Sequence, residues 1–155
     1  MNRVEILQII TGCVGTLGFG VLFNIKGKRL LMATIGGLLS WAVFVLLGNV
    51  IDSEPIRYFI VSALCSAYAE IIARVLKTPT TTIQITALIP LVPGASLYYT
   101  MAYALESDMA KFVTKAVSTL KLAAALALGI VFTTMIMTIL YRLKGVKQHG
   151  DCKTV

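Results

Sequence analysis

Residues 83–105, IQITALIPLVPGASLYYTMAYAL, are long and apolar enough to cross a bilayer, yet the sequence PLVPG interrupts them at positions 90–94. An uninterrupted membrane helix does not carry two prolines and a glycine in its middle, because proline lacks the N–H that helical hydrogen bonding requires. Irregular backbone at membrane depth is tolerated only where it is buried in protein or lines a wet cavity. The stretch therefore predicts a membrane helix broken between Pro90 and Gly94, and the break is the strongest candidate for a binding site.

The composition of the whole chain places it in a membrane. Of its 155 residues, 57% are hydrophobic and 14% are charged, and the mean hydropathy of +0.86 is too high for a water-soluble domain of this size. A span needs roughly 20 apolar residues. The sequence therefore predicts an all-α integral membrane protein, with a single transmembrane domain over 1–155. Its five predicted spans cover 4–25, 30–50, 57–76, 83–105 and 116–141.

The basic residues are distributed by loop, which indicates membrane topology and not a nucleic-acid surface. Nine follow the first, third and fifth spans, and four lie on the opposite side with most of the acidic residues. By the positive-inside rule, this predicts an outside N-terminus, a cytoplasmic C-terminus and a short basic cytoplasmic tail over 142–155. The nine are Lys26, Lys28, Arg29, Arg74, Lys77, Arg142, Lys144, Lys147 and Lys153, and the four are Arg3, Arg57, Lys111 and Lys115.

The two prolines free polar backbone groups on both sides of the break. Pro90 cannot donate to the carbonyl of Thr86, and Pro93 cannot donate to that of Ile89. If Pro93 begins a second half-helix, the next three amides favour an anion, while the freed carbonyls favour an ammonium. A zwitterionic amino acid satisfies both; the alternative is a kink that only shapes packing, with Ser or Thr side chains satisfying the carbonyls. The three amides belong to Gly94, Ala95 and Ser96.

Span three contains a second candidate site, formed by Glu70 and Arg74. The two residues lie four apart on one helical face, where they can pair, and Arg74 can extend to the cytoplasmic interface. Glu70 lies about 9 Å inside that end, where an unpaired carboxylate is costly. Two compatible interpretations stay open: a structural ion pair, and a carboxylate that couples transport to protons or binds a substrate ammonium.

Other features favour packing over chemistry. Small residues on the first two spans let helix backbones approach closely, and residues 107–120 predict an amphipathic lead-in to the last span near the outer surface. The cysteines at 13, 65 and 152 suggest no disulfide framework, and His149 has no other ligand type beside it, so no metal or cofactor is expected. One histidine and one buried carboxylate supply no catalytic set, so no enzyme is expected.

The run IPLVPGASLY at 89–98 resembles the signature of the threonine/serine exporter (ThrE) family. The similarity is to the C-terminal half of the fused exporters, which also exists as a small separate subunit of the YjjB type, and it covers nearly the whole chain. The resemblance implies a two-component exporter in which a companion membrane subunit supplies the N-terminal half. Family members are associated with export of threonine and serine, or of small carboxylates such as succinate.

The leading prediction is therefore a multi-pass subunit in the cell membrane that forms half of an export path for a small polar metabolite. Because the chain lacks the family's first half, transport by the chain alone is not expected, and a higher oligomer is compatible with this arrangement. Two alternatives stay open. One is a subunit of a small-carboxylate exporter, and the other is an accessory subunit that stabilises its companion without transporting, which the small-residue faces favour equally well.

Overall fold

The structure is a computed structural model that describes the backbone of residues 3–150 and the side chains of residues 7–143. Throughout this range the regular structure is helical, as the hydropathy pattern predicts. The helices are α1 (Arg3–Leu22), α2 (Lys28–Gly48), α3 (Glu54–Val75), α4 (Thr80–Leu88), a 3-10 turn (Ile89–Leu91), α5 (Gly94–Leu105) and α6 (Met109–Gly150).

Several of these helices have the length and hydropathy of membrane spans. Three meet both criteria alone, namely α2, α3 and α6 over Met109–Leu143. A fourth candidate is the pair formed by α4 with its 3-10 turn and α5, which meets the criteria jointly and is bent by 59°. The described apolar part of α1, Leu7–Leu22, is shorter. The helical membrane architecture is thus confirmed, whereas the count of five spans and the orientation of the termini stay predictions.

One long helix contains both the predicted lead-in and the predicted last span. The lead-in over 107–120 and the span over 116–141 are continuous, since α6 runs without interruption from Met109 to Gly150. The chain has no proline after Pro93 and no glycine between Met109 and Leu128, so nothing in this segment stops helix propagation. The same helix continues into the predicted basic tail, of which residues 151–155 lie outside the described part of the chain.

Side-chain contacts fix the relative directions of the helices. Helices α1 and α2 are antiparallel, since Gly12 lies against Trp41 and Gly20 lies against Leu30. By contrast, α6 runs parallel to α3. Three pairs in increasing order along both helices show this: the rings of Phe59 and Phe132 at 6.2 Å, the Ala63 carbonyl and Thr133 hydroxyl at 3.2 Å, and the Arg74 guanidinium and Tyr141 ring at 3.4 Å.

Helix α3 lies at the centre of the bundle and buries most of its small residues. Its buried positions pack against α2, α4 and α6 in two hydrophobic clusters. The first cluster contains Val61 and Cys65 of α3, Ala87 and Leu91 around the end of α4, and Leu122 of α6. Helix α5, in contrast, has no buried residue and packs mainly against α6, with the hydroxyls of Thr100 and Thr119 3.2 Å apart.

At Gly129, α6 lies close against the backbone of α3. A Cβ built on Gly129 would lie 2.6 Å from the carbonyl oxygen of Phe59, which is a backbone atom and cannot move aside. We therefore expect Gly129→Ala to destabilise the bundle by about 1–3 kcal/mol through overpacking. Thermal unfolding of the purified chain in detergent would show this as a lower melting temperature.

Gly18→Ala is the matched control, because a Cβ on Gly18 meets nothing within 4 Å. Its melting temperature should be unchanged or slightly raised by the better helix propensity of alanine. Equal melting temperatures for the two variants would contradict the close packing of α3 and α6.

Candidate functional site

The break supplies hydrogen-bond partners for part of its own backbone. After the 3-10 turn, Val92 is extended, and Pro93 adopts φ −74 and ψ 59. The amide of Gly94 donates to the Val92 carbonyl at 2.7 Å, which closes an inverse γ-turn around Pro93. The carbonyl of Ile89, predicted to be freed by Pro93, accepts the Val92 amide at 3.1 Å. The Ile89 carbonyl oxygen still has a second lone pair. The break is therefore a compact turn in which this oxygen can accept one more hydrogen bond.

The second half-helix begins one residue later than predicted. Pro93 is its N-cap and Gly94 its first residue, and the Leu97 amide makes the first helical bond, to the Pro93 carbonyl at 3.1 Å. The amides of Ala95 and Ser96 have no backbone acceptor in the described part of the chain, as usual at the start of a helix. Gly94 and Ala95 are exposed at the surface of the chain. Two of the three predicted amides therefore stay available for an anion.

Helix α2 places a side-chain donor near the end of α4, at the residue after Thr86. The Ser40 hydroxyl is buried and lies 3.0 Å from the carbonyl of Ala87 and 2.9 Å from that of Gly37 in its own helix. Ala87 follows Thr86, whose side chain is fully buried and donates to the Thr82 carbonyl at 2.9 Å. Sequence reasoning placed Ser40 only on a packing face. The sequence feature that could have pointed to Ser40 is a serine at membrane depth, but the sequence does not indicate which carbonyl its hydroxyl reaches.

A groove of about 260 Å³ opens between α1, α2 and the break. Its wall includes Gln8, Thr11 and Gly15 of α1, Trp41 of α2, and Ile89 and Pro90 of the 3-10 turn. Sequence reasoning did not assign the α1 and α2 residues to a site, because their proximity to the break depends on how the helices pack. The break is therefore exposed on two sides, towards this groove and at the start of α5.

Glu70 and Arg74 form an ion pair beside the beginning of α4, at the end of that helix away from the break. The Arg74 Nη2 is 3.2 Å from the Glu70 Oε2, and the guanidinium lies over the ring of Tyr141 on α6. Glu70 is buried, whereas Arg74 is half-exposed. One turn before Glu70, the Ser66 hydroxyl accepts from the Gln84 amide of α4 at 3.1 Å. The carboxylate thus lies on the polar face where α3 meets α4.

The structure does not bring the carboxylate and the break together. The contact between Ser66 and Gln84 sets the antiparallel register of α3 and α4, which places Glu70 beside the beginning of α4. The break lies at the end of this nine-residue helix, about 13 Å away at 1.5 Å per residue. Direct contact between one small molecule and both sites is therefore not possible in this conformation.

The apolar helices and the irregular backbone within a bent pair define a multi-pass helical membrane protein with the architecture of transporters. A family model described as Threonine/Serine exporter, ThrE, matches residues 8–136, and the chain therefore belongs to the threonine/serine exporter family. The family membership expected from the sequence around the break is confirmed. Members of this family are membrane transporters and not enzymes. No curated protein and no solved structure matches the chain.

The bond from Ser40 to Ala87 predicts a stability effect at the break. We expect Ser40→Ala to lower the free energy of unfolding by about 1 kcal/mol, because a buried carbonyl loses a donor. Thr138→Ala is the control, since the exposed Thr138 hydroxyl donates only within α6, to the Thr134 carbonyl at 2.8 Å. Thermal unfolding of both variants tests this, and a Ser40→Ala melting temperature equal to that of the control would show that the bond contributes nothing.

Proposed function

We propose that the chain is one subunit of a two-component membrane exporter for threonine or serine, acting with a companion membrane subunit that corresponds to the N-terminal half of the fused family members. The observation that carries the proposal is the exposure of the break. The start of α5 presents the Ala95 and Ser96 amides beside exposed Gly94, and no residue of α5 is buried within the chain. On this proposal the chain contributes half of a binding site, and a second polypeptide closes it.

The substrate chemistry follows from the two ends of the break. Amides at the start of a helix, together with the positive end of its dipole, suit a carboxylate. Carbonyls near Thr86 and Ile89 suit an ammonium, and the second lone pair of the Ile89 carbonyl stays available. A free amino acid carries both groups in one small molecule. Serine and threonine add a hydroxyl, which can donate to and accept from a site of this kind.

We infer five membrane crossings from the helix directions. A re-entrant loop formed by α4 and α5 would return the chain to its starting side, and α6 would then run antiparallel to α3. The observed parallel packing of α3 and α6 favours one broken crossing between them. Helix α1 lies along α2 from Gly12 at Trp41 to Gly20 at Leu30, which supports a crossing there too. With the positive-inside rule, the N-terminus lies outside and the C-terminus in the cytoplasm.

The central experiment measures efflux of labelled threonine from preloaded vesicles that contain the chain and its companion, compared with vesicles that contain either protein alone. Efflux that requires both proteins is the expected result. Efflux of succinate in place of threonine would move the assignment to a small-carboxylate exporter. Efflux by the companion alone at the full rate would make this chain an accessory subunit.

A variant that removes the break supplies the control for this experiment. Replacing Pro93 by Ala and Gly94 by Leu restores an amide donor and a helix-forming residue, so the helix should continue through the break. We expect efflux to be lost while membrane insertion and companion abundance are kept. Wild-type efflux in this variant would exclude the break as the substrate site.

We further propose that Glu70 couples export to proton entry. A carboxylate buried within a span can bind a proton from one side and release it to the other. Protonation would weaken its ion pair with Arg74, and that pair joins α3 to α6 through Tyr141. The coupling would therefore act on the packing between these two helices and not through direct contact with substrate at the break.

Glu70→Gln tests this coupling, since glutamine cannot take up a proton. Acidification outside the vesicle should accelerate wild-type efflux by roughly tenfold or more and leave the variant unaffected. Glu54→Gln is the matched control, because Glu54 is exposed and lies 4.0 Å from Arg57 in a comparable pair. An undiminished response to the pH gradient in Glu70→Gln would rule out the coupling role.

A further inference from the structure

The groove between α1, α2 and the 3-10 turn is mainly apolar and has a few uncharged polar groups on its walls, as is usual for a small-molecule site. Gln8 and Thr11 place an amide and a hydroxyl on its α1 wall, and Pro90 brings the break to the opposite wall. Among the described residues, no Asp, Glu, Lys, Arg or His side chain lines it. A net charge at membrane depth is costly without a counter-charge. The groove therefore fits a small polar molecule whose charges sum to zero.

The Thr11 hydroxyl keeps acceptor capacity for such a ligand. It donates its proton to the carbonyl of Leu7 at 2.9 Å or of Gln8 at 3.0 Å, within its own helix. A hydroxyl has one proton and two lone pairs, so the oxygen stays free to accept. The amide of Gln8 can both donate and accept. The α1 wall can thus receive an ammonium or hydroxyl proton.

Trp41 supplies a donor that the described residues leave unused. Its indole Nε1 is buried and has no hydrogen-bond partner among them, which costs free energy. A Cβ built on Gly12 would lie 3.4 Å from the Trp41 Cγ and 3.6 Å from Cδ1, the atom bonded to Nε1. The edge of the indole that carries the N–H therefore packs against α1 beside the groove. A small separation of α1 from α2 at Gly12 would open this donor to a ligand oxygen.

We propose that this groove binds the transported molecule on the α1 side of the break, as a small zwitterion without net charge. Trp41 donates to an oxygen of the ligand, and Gln8 and Thr11 receive its polar protons. The inference rests on the proposed export function and adds to it the residues that select the substrate. It excludes dicarboxylates from the groove, because two negative charges would be buried there without a cation.

The test uses the fact that Trp41 is the single tryptophan of the chain, so its fluorescence reports directly on the groove. The residues that line the groove belong to this chain, so binding in the groove is expected without the companion, which is needed only to close the start of α5. We would titrate the full chain in lipid nanodiscs with threonine, and separately with succinate. Threonine should give a saturable change in Trp41 emission, and succinate none. No saturable response to threonine, or an equal response to succinate, would overturn the proposal.

Two glycine variants distinguish an effect on the groove from a general effect on α1. A Cβ on either Gly15 or Gly18 meets nothing within 4 Å, but only Gly15 lines the groove. Gly15→Leu should fill the groove and weaken threonine binding by about tenfold or more, while Gly18→Leu should bind as the wild type does. If Gly15→Leu fails to insert, Thr11→Val removes the acceptor at nearly constant shape and should also weaken binding. Equal affinity in the groove variants and Gly18→Leu would overturn the proposal.

Efflux distinguishes this inference from the export function on which it rests. If the complete complex exports threonine and Gly15→Leu does not change the efflux, the groove is not the substrate site, and the exporter assignment stands. If the chain binds threonine, Gly15→Leu abolishes that binding, and the complex exports no threonine, the groove is supported as a binding site and the export proposal is overturned.

Discussion

The organisation of this chain depends on one constraint: backbone polar groups inside a bilayer have no water to bond to. A helix satisfies them internally, and two prolines three residues apart make that impossible between Pro90 and Pro93. The structure meets the demand in three ways. The Val92 and Gly94 amides find acceptors within the turn, and Ser40 reaches the Ala87 carbonyl from α2. The start of α5 is left open, and these unpaired amides make the break the candidate site.

Helix α3 shows how the same constraint is met where the backbone is regular. Its buried face consists largely of Ala, Ser and Val, which allows α4 and α6 to pack closely on it. Polar groups on this face are short or paired: Ser62 donates to the Phe59 carbonyl at 3.0 Å, and Ser66 accepts from Gln84. Glu70 is the one carboxylate among the buried residues of α3, and it has Arg74 beside it. A face made largely of small residues therefore carries one charged side chain close to α4 and α6.

Sequence reasoning succeeded where the physics is local along the chain. Hydropathy gave the membrane class, the chemistry of proline located the break, and a spacing of four placed Arg74 beside Glu70. It did not find Ser40 at the Ala87 carbonyl, 47 residues away, or Tyr141 over Arg74, because these contacts depend on which helix faces meet. It distinguished an amphipathic lead-in from the apolar last span, and the structure joins the two segments in one helix. A change of polarity does not end a helix when no residue breaks it.

The length of α6 has a mechanical consequence. Its 42 residues extend for roughly 60 Å, twice the hydrocarbon thickness of about 30 Å, so the rod is tilted or reaches beyond the bilayer. Near its middle, Gly129 lies close against the backbone of α3. One end of the rod packs against α5, which begins at the break, and the other carries Tyr141 over Arg74. A single helix thus links the second half of the break, at Thr119, to the Glu70–Arg74 pair, at Tyr141, across roughly 33 Å.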